Sequence, residues 1–261
     1  MSVVVRLDRL LANMGYGSRR EVQQLVRAGQ IRLDGTAVTV ADMKLAASPD
    51  LRERMTVRGQ KLDPPPGVVL MLHKPLGVTC SHKDAGPLVY SLLPARWRSR
   101  EPAISTIGRL DKETSGLLLL TDDGDLLHRI ISPKRHVPKR YLATLARPLD
   151  GSEAARFAAG DLMLEGEDKP VAPAVLEPLS PTTAHLTVTE GRYHQVRRMF
   201  AAVGNHVDAL HRDRIGALAL PDDLAPGAYG LLGEAEVAAI FSAPDAPAAP
   251  DDPGTAAVTS N

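Results

Sequence analysis

Four short stretches carry the side chains with which this 261-residue chain could do chemistry. In Ile107-Gly-Arg-Leu-Asp-Lys-Glu-Thr-Ser-Gly-Leu-Leu-Leu-Leu-Thr-Asp-Asp-Gly124, Asp111 stands between a Gly-Arg-Leu lead-in and a Thr114-Ser115-Gly116 turn into an apolar run. An acid held against the end of a buried strand is rigidly placed and partly dehydrated, as a nucleophile or base requires. As a plain turn residue it would only cap the next backbone N–H groups. Arg129–Arg147 holds six basic residues (Arg129, Lys134, Arg135, Lys139, Arg140, Arg147) and no acid, with Tyr141 among them. Positive charge interleaved with an aromatic suits a flipped nucleotide, phosphates outside and base stacked within; the bland alternative is a solvated loop beside a core tyrosine. Glu190-Gly-Arg-Tyr-His-Gln-Val-Arg-Arg-Met-Phe200 opens an arginine-rich helix at Gly191. Arg197 and Arg198 are adjacent there, so they point about 100° apart and one can face a carboxylate while the other faces outward. A structural salt bridge competes with that reading. The fourth stretch, His73-Lys-Pro-Leu-Gly-Val78, follows a strand and reads as a tight turn.

Other chemistries lack their residues. Cys80 is the single cysteine, which removes an internal disulfide and a thiolate zinc cluster. His194, His206 and His211 lack helix-ligand spacing, no His-Glu-x-x-His motif accompanies them, and no glycine-rich phosphate loop is present. No metal and no cofactor are expected. The longest apolar runs, Val68–Leu72 and Leu117–Leu120, fall far short of the roughly 20 residues of a membrane span, and no secretory leader is evident. A cytoplasmic protein is expected.

Elements must position these residues. Leu7, Leu10 and Leu11 share one helical face, and a Gly15–Gly17 turn follows. Ser18-Arg-Arg-Glu21 reads as a capping box for a helix with Val22, Leu25 and Val26 as its apolar stripe and Gly29 as its stop. Ile31–Leu33, an Asp34-Gly35 turn and Ala37–Val40 read as a hairpin. Three prolines in Leu62–Gly67 predict a linker. Beyond it, strands are predicted at 68–73, 116–121, 141–145 and 184–189, and helices at 124–131, 152–159 and 196–203. Without a regular βαβ rhythm, the pattern predicts a mixed, largely antiparallel α+β domain. The expected division is 1–61, a linker at 62–67, a second domain at 68–241 and a disordered acidic Pro/Ala-rich tail at 242–261.

Charge divides the same way. The chain balances 31 Lys+Arg against 31 Asp+Glu, yet the segment from Pro221 onward holds seven acids and no Lys or Arg. The remaining body therefore carries a net +7, which points to a polyanionic partner.

The front pattern, Arg6-Leu-Asp-Arg-Leu-Leu through Gly17-Ser-Arg-Arg-Glu21 to Val26-Arg-Ala-Gly-Gln-Ile-Arg-Leu-Asp-Gly35, resembles the S4 (α-L) RNA-binding module. With His73-Lys-Pro-Leu-Gly77, Gly108-Arg-Leu-Asp111, Lys139-Arg-Tyr-Leu-Ala-Thr144 and Glu190-Gly-Arg-Tyr-His-Gln-Val-Arg-Arg198, the chain resembles the RsuA-type ribosomal RNA pseudouridine synthases over roughly residues 5–240. Tyr193-His194 and Leu210-His-Arg-Asp-Arg-Ile-Gly216 look most like the small-subunit (16S rRNA) enzyme, whose target is uridine 516. The resemblance implies that Asp111 is the catalytic aspartate, that Tyr141 packs on the target base, and that Arg197 pairs with the aspartate. It implies no cofactor, and a monomer acting on 16S rRNA, free or within a partly assembled small subunit. It further assigns RNA contacts to Arg6, Arg9, Ser18, Arg19, Arg20, Arg27, Lys74, Arg109, Lys139, Arg140, Arg192, His194 and Arg198. Two rivals stand beside it: a sister synthase acting on 23S rRNA, and a non-catalytic S4-type assembly factor. The second leaves Asp111, Tyr141 and Arg197 unexplained.

Overall fold

The computed structural model describes residues 4–81 and 86–243. The tail expected to be disordered therefore lies outside the described residues from 244 onward. In the front unit, the leucine stripe forms helix α1 (Leu7–Asn13). Ser18 Oγ accepts from the Glu21 N–H at 3.3 Å while Glu21 accepts from the Ser18 N–H at 2.6 Å, so the capping box forms and α2 (Arg19–Arg27) begins after it. Val22, Leu25 and Val26 pack with Leu7, Leu10 and Leu11 into one core. Ile31–Leu33 pairs with Thr36–Ala37 across the Asp34-Gly35 turn and with Met55–Val57 on its other side. The second hairpin arm is shorter than the sequence predicts: Val38 still donates to the Ile31 carbonyl at 2.9 Å and is buried in the front core, and the strand goes no further.

The Pro-rich segment is held at both ends. Leu62 belongs to the front core, and the Asp63 carboxylate takes a two-pronged bond from Arg96 at 2.7 and 2.9 Å. The Asp63 N–H donates to the Tyr16 hydroxyl at 2.9 Å, and the Arg96 guanidinium lies 4.4 Å from the Tyr16 ring centre. At the other end, buried Asp122 accepts from the N–H groups of Gly67 and Val68 at 2.8 and 3.0 Å. Asp122 also pairs with buried Arg100 at 2.9 Å, whose other prong holds the Pro64 carbonyl. Three prolines exclude regular structure but not fixation, and charged side chains supply it.

The second unit is built on a nine-stranded sheet. Its main path uses β1 (Val69–Lys74), β2 (Thr114–Thr121), β3 (Lys139–Leu145), β4 (Val175–Ser180), β5 (Thr183–Val188), β6 (Val207–Ile215) and β7 (Tyr229–Leu231). Their order is β4-β5-β3-β6-β2-β1-β7, and every neighbouring pair is antiparallel except β6 with β2. The expected α+β class and mostly antiparallel sheet are what is found. Helices α3 (Gly124–Ile131), α4 (Glu153–Ala158) and α5 (Gln195–Ala202) pack on this sheet's cores. The long β6 escapes prediction. Its sequence Val-Asp-Ala-Leu-His-Arg-Asp-Arg-Ile interrupts apolar alternation with charges, which a strand tolerates only where a site or an ion pair takes them.

Candidate active site

Asp111 sits on the loop that enters β2, and backbone bonds from three directions fix that loop. The Lys112 carbonyl accepts from the Gly77 N–H at 2.9 Å, so the His73–Gly77 turn docks against it. Lys74, fully buried, donates to the Thr114 carbonyl at 2.8 Å and the Pro75 carbonyl at 3.0 Å. Arg197 donates to the Glu113 carbonyl at 3.0 Å and to the Val207 carbonyl at 2.7 Å. Burial pushes the Lys74 ammonium below its ordinary range, against the opposing pull of nearby groups that include Asp111 and Glu113. Downstream, Gly116 has φ +111° and its Cα faces Arg212 of β6, where an added Cβ would lie 2.1 Å from the Arg212 carbonyl oxygen. Only glycine admits that approach.

A pocket of about 530 Å³ opens above this loop, lined by Asp111, Tyr141, Lys139, His194, Leu210 and Arg212 among others. The Asp111 side chain is 27% exposed, largely withdrawn from water yet reachable. Its carboxylate lies 3.3 Å from His194 Nε2. His194 adopts φ +49° at the start of α5, a left-handed backbone uncommon outside glycine, and its ring stacks on exposed Tyr193 at 3.9 Å between centres. Tyr141, on β3, closes one wall between two cores, and its hydroxyl accepts from Arg212 Nη1 at 3.3 Å. Burial, with the nearby Arg212 charge, lowers the Lys139 ammonium to about 8. Among the described residues no group of three His, Cys, Asp or Glu side chains could hold a metal ion.

This geometry corrects several expectations. The Arg197–Asp111 ion pair is not formed, because both prongs of Arg197 are used on backbone carbonyls; the basic side chain nearest the carboxylate is His194. Lys74 cannot touch RNA: it is sealed beneath the loop, where its three donors meet carbonyls. Arg192 and Arg198 clamp the 165–170 loop through Glu167 and backbone carbonyls. Arg140 forks onto Asp213, and Arg6 and Arg19 both hold buried Asp8. Ser18 uses its hydroxyl as the α2 cap. Arg9, Arg20, Arg27 and Arg109 are exposed, and their side chains make no hydrogen bond or ion pair among the described residues. Sequence reasoning singled out no function for Arg212. The available signal was a charged residue two places from Leu210 on the inward face of an otherwise apolar alternation.

Comparison with known proteins matches this arrangement. The profile of the RNA pseudouridylate synthase family covers residues 68–202, and that of the S4 domain covers residues 5–48. The chain is 43% identical over 239 residues to ribosomal small subunit pseudouridine synthase A of Escherichia coli K12, covering 90% of this chain and 100% of that one. It is 42% identical over 237 residues to the uncharacterized RNA pseudouridine synthase YtzG of Bacillus subtilis 168, covering 89% and 97% respectively. A crystal structure of a pseudouridylate synthase aligns with a TM-score of 0.63 at 37% identity, covering 90% of this chain and 99% of that one. With a loop-borne aspartate under a tyrosine-walled pocket and an S4 unit in front, this chain belongs to the RNA pseudouridine synthase family.

Proposed function

We propose that the protein isomerises a uridine of 16S ribosomal RNA, the one at position 516, to pseudouridine in the cytoplasm, with Asp111 as the reacting carboxylate. The observation that carries this reading is a partly exposed aspartate on a loop braced from three sides, beside a tyrosine wall, in a pocket of about 530 Å³. The reaction breaks the N1–C1′ bond, turns the base and rejoins it through C5. Asp111 either bonds to C1′ as N1 leaves, or takes the C2′ proton so that a C1′=C2′ bond replaces the lost one. Both routes need the carboxylate ionised, and His194 Nε2 lies 3.3 Å from it. Tyr141 offers a flat face to the loose base, worth roughly 1–3 kcal/mol by stacking. Its hydroxyl already takes a bond from Arg212, which suits a fixed wall. The exposed arginines Arg9, Arg20 and Arg27 of the front unit would meet phosphates of folded RNA. Small-subunit RNA is favoured by the E. coli relative, which matches over its full length and whose name states that substrate.

The test is a map of pseudouridine by carbodiimide primer extension in both ribosomal RNAs from cells lacking the protein. One 16S site should disappear, return with the wild type and stay absent with Asp111→Asn. Loss of a 23S site instead would transfer the substrate to the large subunit, and no change in either would end the proposal.

A further inference from the structure

The bond broken in this reaction leaves its electron pair on N1 of the uracil, and the charge spreads to O2 and O4. Asp111 cannot meet that charge, being negative itself. Arg212 is placed to do so. It is 2% exposed, lines the same pocket as Asp111 and Tyr141, and forms no ion pair among the described residues. Nε is committed to the Leu117 carbonyl at 2.8 Å and Nη1 to the Tyr141 hydroxyl at 3.3 Å, whereas Nη2 is buried with no hydrogen-bond partner. The parallel pairing of β6 with Gly116 fixes its backbone, so the guanidinium is held rather than searching. A buried cation without a counter-charge is costly unless something compensates it. Its neighbours do the opposite: Lys139 and Lys74 are both cations close enough to be affected by it. Of the lining acids, Asp111 meets His194, and Glu190 is engaged by Gln195, Arg192 and the Ala172 N–H. The pocket is therefore lined by a buried guanidinium with no ion-pair partner among the described residues, one side chain from the tyrosine wall.

We propose that Arg212 is a catalytic residue that stabilises the detached uracil anion, its free Nη2 donating to the O2 or O4 carbonyl oxygen that gains charge as N1–C1′ breaks. This rests on the reaction proposed above. The pair of electrons stays on the base until C5 bonds to C1′, as the Asp111–C1′ bond breaks or, on the other route, as Asp111 returns the proton to C2′; the C5 proton then leaves and N1 takes up a proton, so charge returns to the start. A donor aimed at developing charge in a dehydrated site acts on the rate more than on substrate binding.

The experiment measures single-turnover cleavage of the N1–C1′ bond in a 16S rRNA fragment carrying either uridine or 5-fluorouridine at the target, with Arg212→Met and Arg212→Lys beside the wild type. Fluorine makes the departing base a weaker base, so it needs less help. With uridine, Arg212→Met should lose about 100-fold in rate at unchanged RNA affinity, the size of one lost oxyanion donor. The loss should shrink markedly with 5-fluorouridine, and Arg212→Lys, which keeps the charge, should fall between. Arg212→Lys carries the comparison should Arg212→Met not fold. Equal losses on both bases would show a structural role and overturn the inference, as would a loss confined to RNA affinity, the mark of a phosphate clamp. No pseudouridine from the wild type would remove the proposed reaction itself, whereas equal rates for wild type and variants would remove only this inference.

Discussion

Asp111 and Lys139 line the same pocket and carry opposite charges. Lys139 is pushed to about 8 by burial and by the Arg212 charge, so it gives up its proton as pH rises through that value. Above it the pocket has one positive charge fewer. Turnover and RNA affinity should therefore fall between pH 7 and 9, and Lys139→Arg, which stays charged, should flatten that limb of the pH–rate profile. A limb unchanged by the substitution would place the titration elsewhere. At this scale the sequence motifs single out Asp111 and Tyr141, and the fold brings both to one pocket. The sequence was uninformative about partners. Arg197, expected to pair with Asp111, braces the aspartate loop through backbone carbonyls instead, and Arg192 and Arg198, expected to meet RNA, grip the 165–170 loop. A guanidinium looks the same in sequence whether its acceptor is a phosphate or a carbonyl three strands away.

The element that matters most is the β2–β6 contact, the one parallel pairing of the main sheet path. Gly116 lets β2 approach the Arg212 carbonyl, and its φ of +111° is open only to glycine. Gly116→Ala should destabilise the fold by more than about 4 kcal/mol, combining backbone strain with a 2.1 Å clash, and a thermal melt would register it. A change within about 0.5 kcal/mol would show that the strands can part freely. Helix α3, the strand at 116–121 and the capping box of α2 were legible because each has local signals that agree. Strand β6 was not, since its charges answer to Asp213–Arg140 and to the pocket rather than to its own pleat.

Across the whole molecule, two buried or half-buried ion pairs turn the Pro-rich segment into a fixed joint. Removing one partner of the buried Arg100–Asp122 pair strands a charge, so Asp122→Ala should cost roughly 3–5 kcal/mol in chemical denaturation. An unchanged denaturation midpoint would mean the joint is merely apposed. Charge at this scale has also been resolved into positions. Of the front-unit basic residues expected to meet RNA, Arg6 and Arg19 are tied to Asp8, which leaves Arg9, Arg20 and Arg27 exposed and without a side-chain partner among the described residues. Replacing these three with Gln should lower the slope of log affinity against log salt by about 0.7–0.9 for each phosphate that is no longer neutralised, at most about 3 in all. An unchanged slope would exclude this face from the interface.

Asp111 stands at the centre of the proposed reaction, and one assay addresses its role most directly. A 16S rRNA transcript with tritium at C5 of its uridines releases label only when a uridine exchanges its N1 link for C5. Under single-turnover conditions the wild-type protein should release close to one equivalent per RNA. Asp111→Asn should release none while binding the transcript as tightly as the wild type. Release by Asp111→Asn at a rate near that of the wild type would contradict the assignment of this carboxylate to the reaction.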